Sequence, residues 1–411
     1  METGPVLIVE PMPGAAAAVG AWMRSGSAHE PRDLAGITHL LEHVLLRRCA
    51  DRSPEAIAEL IDSLGGAVDA FTSRESCAIT AHVPADRLDE ATSLVLDALF
   101  QPRFLAPDIE LEQHVVDAEF DLVQDSPSEV TAEKALLACW GDHPLARPVL
   151  GQRRVVEALS PAELARFHRE RFSLDRLVMV AVGPVTAHEL EQRLSGLPQA
   201  RWADAPLSAP VWRSEFLQER RDGLEQVYAN LVLPGLPADH GEGTTLAVLH
   251  QLLGAGNSSR LFRELRDRLG LVYEVESGLY STSVAGLLEI TFSCPARLSV
   301  RCWDAVLGIL GQVAAGAIED REVDLAKQAL LAGLMLGTEG SDALLEAHAG
   351  EFLARGRRFD AAVLRREIEE VTTARVRSLA RLLVRLEDLA GAVCGPHGAS
   401  LLPASLARRV A

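Results

Sequence analysis

A chain of 411 residues is longer than one ordinary hydrophobic core, which points to two or more domains of roughly 100–200 residues each. With 48% hydrophobic and 24% charged residues it has the composition of a globular protein, and its net charge of −18 excludes a nucleic-acid binder, whose partner would be repelled. The same charge suits solubility and cationic peptide segments.

In chain order, Val6–Val9 and Ala16–Trp22 read as strands, with Pro11 to Gly14 turning between them. "GITHLLEHVLLRRC" reads as an apolar helix carrying two histidines and a glutamate. The next helix opens at Ser53 with Pro54 and stops at Gly65, and Ile57, Leu60, Ile61 and Leu64 form its stripe. "AVDAFTS" and "CAITAHVP" read as strands, 86–100 and 107–124 as helices, and Ser160, Pro161 and Glu163 open a further helix with a capping box. "RLVMVAVG" (176–183) reads as a buried strand. Between 199 and 222 proline, charge and tryptophan mix without a period, which marks a linker. Then come "QVYANLVLPG" as a strand, a helix rich in Leu and His, "GLVYEVESGLYS" and "GLLEITFSCP" as strands, a mostly helical last third and a late strand, "LAGAVCGP". The second half thus repeats the order of the first. The fold class expected is α+β: two similar α/β-roll domains, each a mixed, mostly antiparallel sheet flanked by helices, over 1–200 and 223–411, with 201–222 as the linker.

The six cysteines contain no C-x-x-C pair, and the N-terminus has no basic region before its short apolar run. Both suggest a reducing compartment, without a disulfide framework, secretory signal or membrane span, and hence a cytoplasmic protein.

On a helix His39 and His43 share a face, one turn apart, with Glu42 beside them. This is H-x-x-E-H, the inverse of the commoner zinc helix. Read alone, the pair fits either a metal site or two satisfied core histidines. Catalytic zinc takes three protein ligands and keeps one position open. In the helix 107–124, Glu119 falls in a stripe with Val115, Val116, Phe120 and Val123, and Glu112 lies two turns earlier on the same side. A carboxylate there needs a cation. No Lys or Arg stands at i±3 or i±4 of Glu119, so it is either one half of a longer-range ion pair or the third zinc ligand, with Glu112 accepting from an imidazole N–H.

These residues resemble a known family, the M16 (pitrilysin/insulinase) metallopeptidases, and within it the short bacterial branch similar to the mitochondrial processing peptidase. The family's "G-x-x-H-x-x-E-H" stands here as "GITHLLEH", its "E-x-E-x-x-V-x-x-x-E" as "ELEQHVVDAE", and its "N-A-[YF]-T-S-R-E" as "DAFTSRE". "GDHPLARPVLG" and "LLGAGNSSRLFRELRDRLGLVYEV" resemble two further family segments, so the likeness runs over nearly the whole chain. It implies zinc held by His39, His43 and Glu119, Glu42 as general base, and Arg266 and Tyr273 touching substrate near the scissile bond. It implies that a peptide adds a strand along Asp69, Ala70, Phe71, Thr72 and Ser73, within a chamber closed by a second chain, in a homodimer or a heterodimer with a related chain. Asp69 departs from the family's usual Asn. The alternative is a catalytically silent scaffold or partner subunit of the same fold; the presence of all four zinc-helix and Glu119 positions favours the peptidase.

Overall fold

A computed structural model describes residues 4–197 and 206–410. Among the described residues ten strands form two five-stranded sheets. The first contains β1 (Val6–Pro11), β2 (Ala16–Met23), β3 (Ala67–Thr72), β4 (Cys77–Pro84) and β5 (Leu177–Gly183), in the order β1-β5-β2-β4-β3. The second contains β6 (Phe216–Arg220), β7 (Gln226–Pro234), β8 (Val275–Ser281), β9 (Gly286–Pro295) and β10 (Ala390–Gly395), in the order β6-β10-β7-β9-β8. In each sheet the first strand pairs parallel with the last, and the other pairings are antiparallel. The two orders are one topology used twice, so the expected pair of similar mixed α+β domains is present.

Among the described residues the chain divides into two compact units, Met1–Asp121 with Arg147–Pro206 and Leu336–Phe359, and Leu122–Ala146 with Leu207–Met335 and Asp360–Ala411. In the first unit, α1 (Ile37–Leu45), α2 (Pro54–Leu64), α3 (Leu88–Phe100) and part of α4 (Ala106–Asp125) cover one face of the sheet, burying Leu40, Leu41, Val44, Leu94 and Val116 against Val19, Ile79 and Met179. The helix Ser341–Arg355 covers the other face, with Leu345 and Ala349 against Trp22, Val178 and Val180. In the second unit, α5 (Pro127–Trp140) packs on β7 and β10. Its core surrounds Phe216, Trp303 and Ile290. Each sheet is thus covered in part by a helix from the other half of the sequence.

Local signals placed the helix ends well. Ser53 Oγ accepts from Ala56 N (3.3 Å), and Gly65 closes α2 at φ 70°. The Ser160 capping box forms on Pro161–Arg171. The structure differs from expectation in three places. Of the expected linker, 201–205 lie outside the described residues, and Phe216–Arg220 forms β6. Only Phe216 of that strand is buried, so it lacks the apolar run that marks an inner strand. The stretch "GLVYEVESGLYS" becomes a strand only from Val275, which leaves Tyr273 ahead of it. Finally, Val115 is 42% exposed. The inward face of α4 runs Ile109, Glu112, Val116, with Phe120 packed beside the core, a 3–4 spacing that turns Val115 outward.

Candidate metal centre

The helix that carries the site begins at Gly36, whose φ is 103°. A Cβ on Gly36 would lie 2.5 Å from Leu150 O, and one on Gly151 would lie 2.3 Å from Ala35 O. The two motif glycines therefore let "GITHLLEH" and "GDHPLARPVLG" meet backbone to backbone. From this entry α1 turns Leu40, Leu41, Val44 and Leu45 into the core and leaves Glu42 and His43 at the edge of burial.

The α4 helix brings Glu119 to both imidazoles. His39 Nε2 lies 3.5 Å from Glu119 Oε2, and His43 Nε2 lies 3.4 Å from Glu119 Oε1. The rings are 4.9 Å apart, centroid to centroid. On the far side of His43, Nδ1 lies 3.3 Å from Glu112 Oε2, whose other oxygen is 3.5 Å from Arg47 Nε. Glu42 joins His39 and His43 in a group whose ligand atoms all lie within 4.8 Å of one another. The expected cluster of His39, Glu42, His43, Glu112 and Glu119 is therefore one constellation, drawn from two helices 60–80 residues apart in sequence.

Its spacing suits a cation. Donors 2.0–2.1 Å from a tetrahedral zinc stand about 3.3–3.4 Å from each other. The imidazole-to-carboxylate separations of 3.4 and 3.5 Å match that edge, whereas good N–H···O bonds are shorter, about 2.7–3.2 Å. His43 Nδ1–H donated to Glu112 would leave the Nε2 lone pair facing Glu119. The electrostatics agrees for His39, while the carboxylates around His43 favour its protonated form until a cation displaces the proton. Burial, with the neighbouring His43, pushes the His39 imidazole down to about 4, which keeps it neutral and able to ligate. For His43 burial also pulls down, but the Glu112 hydrogen bond and the carboxylates around it outweigh that and raise its pKa. Burial raises the Glu42 carboxyl above its ordinary value, opposed by Thr72 and His43 and assisted by Glu119.

The expected peptide-binding stretch is an edge strand. Among the described residues β3 pairs with β4 alone. Asp69 is exposed, Phe71 meets Trp22 edge to face, and Thr72 lies beside Glu42. Ser73 is used otherwise: its hydroxyl donates to Ser76 O and accepts from Ser76 N (2.9 Å), closing the β3–β4 turn. In the second unit, Arg266 lies on a π-helix, Phe262–Arg268, with its guanidinium 4.7 Å from the Phe262 ring and 5.5 Å from that of Tyr273. Tyr273 is 83% exposed. The Arg/Tyr pair is therefore a stacked pair, held at a helix irregularity of a kind frequent at functional sites. Sequence reasoning missed Glu30, whose carboxylate reaches the start of α1; its signal, an acid six residues before a helix glycine, is not a capping pattern.

Two family models match, "Insulinase (Peptidase family M16)" over residues 6–153 and "Peptidase M16 inactive domain" over 158–330. The chain belongs to the M16 peptidase family. Among its curated relatives is an "Uncharacterized zinc protease" of Mycobacterium tuberculosis (strain H37Rv), 34% identical, with 93% of this chain and 89% of the relative covered. Another, also an "Uncharacterized zinc protease", is from Bacillus subtilis, 28% identical with 93% of each covered. "Mitochondrial-processing peptidase subunit beta" of Dictyostelium discoideum is 27% identical, covering 93% of this chain and 85% of the relative. Among solved structures, a protease from Helicobacter pylori superposes with TM-score 0.88 at 16% identity, covering 96% of this chain and 98% of that one. A peptidase M16 inactive domain from Pseudomonas fluorescens gives 0.87 at 19% identity, covering 96% and 95%. These two agree with the fold. The "inactive domain" match, over 158–330, contains no H-x-x-E-H.

Proposed function

We propose that the protein is a zinc-dependent endopeptidase acting on peptides or leader segments, with zinc held by His39 Nε2, His43 Nε2 and Glu119. The observation that carries this reading is the facing of those two nitrogens and one carboxylate at zinc-like separations, with Glu42 alongside and Glu112 behind His43. The family and the names of its relatives, "zinc protease", agree with it.

Zinc, when bound, supplies the Lewis acidity that makes a water nucleophilic near neutral pH and polarises the scissile carbonyl. Glu42 would take a proton from the attacking water and hand it to the leaving amine, a task suited to a carboxyl whose affinity for protons burial has raised. Glu112 holds the His43 tautomer. The free edge of β3 offers backbone pairing from Asp69 to Thr72 to an extended peptide, which is tolerant of sequence. The stacked Arg266 and Tyr273 form a second set of substrate contacts. A partner chain, a second copy or an M16 relative, encloses the peptide; among the described residues no helix is long and apolar enough to cross a membrane.

The test is Glu42→Gln. It should retain zinc at the wild-type ratio and lose about 10²–10⁴-fold in peptide cleavage. Wild-type protein with a full zinc complement that cleaves no member of a peptide library, alone or with an M16 partner, would overturn the reading in favour of a silent subunit.

A further inference from the structure

Three of the five polar side chains proposed to work at the centre, His39, Glu42 and His43, sit in the first two turns of α1, so their aim depends on how that helix starts. A helix start leaves N–H groups without partners, and a side chain at the N-cap position usually accepts from them. Here the N-cap is Gly36, which has no side chain to offer. The acceptor comes from outside the helix. Glu30 Oε2 accepts from Gly36 N, and Oε1 accepts from Thr38 N, both at 2.8 Å. Glu30 is only 6% exposed. Arg147 Nη1 donates to its backbone oxygen (3.2 Å), which leaves both carboxylate oxygens committed to α1. Burial pushes the carboxyl up to about 7, held back in part by the two N–H donors and by Thr38 and Arg147.

The two imidazoles differ in what holds them. His43 is fixed through Nδ1 by Glu112. His39 Nδ1 is buried and has no hydrogen-bond partner among the described residues. Beyond Glu119 at 3.5 Å from its Nε2, which His43 also faces, the His39 ring is set by packing and the backbone turn in which it sits, and the residue before it is the one whose N–H Glu30 holds. The Gly36–Gly151 contact marks where the chain enters, and Glu30 holds the Gly36 and Thr38 N–H groups at that point.

We propose that Glu30 is a positioning residue of the zinc centre, acting through the first turn of α1 on His39. This rests on the zinc reading for its purpose, but its structural content does not need the metal. The experiment uses full-length protein with ¹⁵N-labelled histidine rings. In metal-free protein, Glu30→Gln should shift and broaden the His39 ring signals, move those of His43 less, and leave those of the exposed His188 and His397 in place. Gln keeps the shape but turns an N–H₂ towards an N–H donor. Glu30→Asp, which keeps the charge but shortens the reach by one methylene, should act in the same direction and serves if Gln impairs folding. Zinc affinity by competition with a chromophoric chelator should fall about tenfold, the lower end for groups that orient a metal-bound imidazole. Ser53→Ala, which removes the ordinary cap of α2, is the control: it should lower thermal stability without moving His39. Unmoved His39 signals in a folded Glu30 variant overturn the proposal, as does an equal response in Ser53→Ala. Wild-type protein that takes up no zinc overturns the zinc reading instead, while the His39 signals still decide the role of Glu30.

Discussion

Replacing Glu112 by Gln asks which nitrogen of His43 faces the metal position. Glu112 is buried, with Oε2 3.3 Å from His43 Nδ1 and Oε1 3.5 Å from Arg47 Nε. If Nδ1–H points to Glu112, the carboxylate raises the donor strength of Nε2 and stops the ring from turning. Such outer partners contribute about 10–100-fold to metal affinity. The 3.3 Å separation is longer than the roughly 2.7–2.9 Å of a strong charge-assisted bond, which places Glu112 at the low end, about tenfold or about 1.4 kcal/mol. Arg47 has a third of its side chain exposed and regains water when its partner goes, so the ion pair adds less than about 1 kcal/mol, and to stability rather than metal binding. The assay is a zinc competition titration at neutral pH, run beside thermal melts of the metal-free protein. Glu119→Ala in the same titration removes a direct donor and should weaken zinc far more. Glu112→Gln protein that binds zinc as tightly as wild type, or less tightly than Glu119→Ala protein, refutes the assignment of Nε2.

Two further outcomes follow from other parts of the molecule. Arg266→Ala should leave zinc content unchanged while lowering kcat/KM for peptide cleavage; loss of zinc in that variant would show that the second unit was disturbed as a whole. His168 is buried, its Nε2–H donates to Leu99 O (2.7 Å), and burial pulls its pKa from 6.5 to about 4. Below pH 6.5 the unfolded chain takes up a proton that the folded ring refuses, so this residue's contribution to stability is complete above about 6.5 and falls as pH drops towards 4, by at most about 3 kcal/mol. His168→Gln can still donate to Leu99 O and should flatten the urea-stability profile across that window; an unchanged slope would remove His168 from the account.

The parts of this protein that could be read from its residues are those whose causes are local. Ser53, Pro54 and Gly65 bracket α2 because caps and a left-handed glycine act within one turn. The convergence of these side chains was readable because helical spacing is rigid: four residues put His39 and His43 on one face, and seven residues put Glu112 and Glu119 on another. The stripe through Val115 was misplaced because several apolar residues crowd α4, and tertiary packing chose the face through Val116. Nothing local tells α5 to cover the second sheet or Ser341–Arg355 to cover the first; those choices depend on which sheet face is left bare. Glu30 escaped for the same reason. A cap supplied from six residues upstream exists only once the loop has folded back over the helix start.

The repeated topology gives that contrast a functional edge. The helix Gly243–Leu253 occupies, between β7 and β8, the place that α1 holds between β2 and β3. It too carries a histidine, His250, but its Nε2 bonds Ser277 O on β8 at 2.7 Å, and burial lowers its pKa. That imidazole ties helix to strand. In α1 the corresponding work falls to apolar packing by Leu40, Leu41 and Val44 and to the contact of Glu42 with Thr72 on β3, and the His39 and His43 Nε2 atoms face Glu119. The next element diverges as well. Between Ser53 and Gly65 the first half has a regular, capped helix, whereas the second half has a π-helix that stacks Arg266 on Phe262 and Tyr273. One scaffold, built twice, thus turns its helix-borne imidazoles towards Glu119, the proposed cation site, in one copy and towards a structural bond in the other. A bare H-x-x-E-H grafted onto the second copy would still leave His250 engaged with Ser277 O on β8.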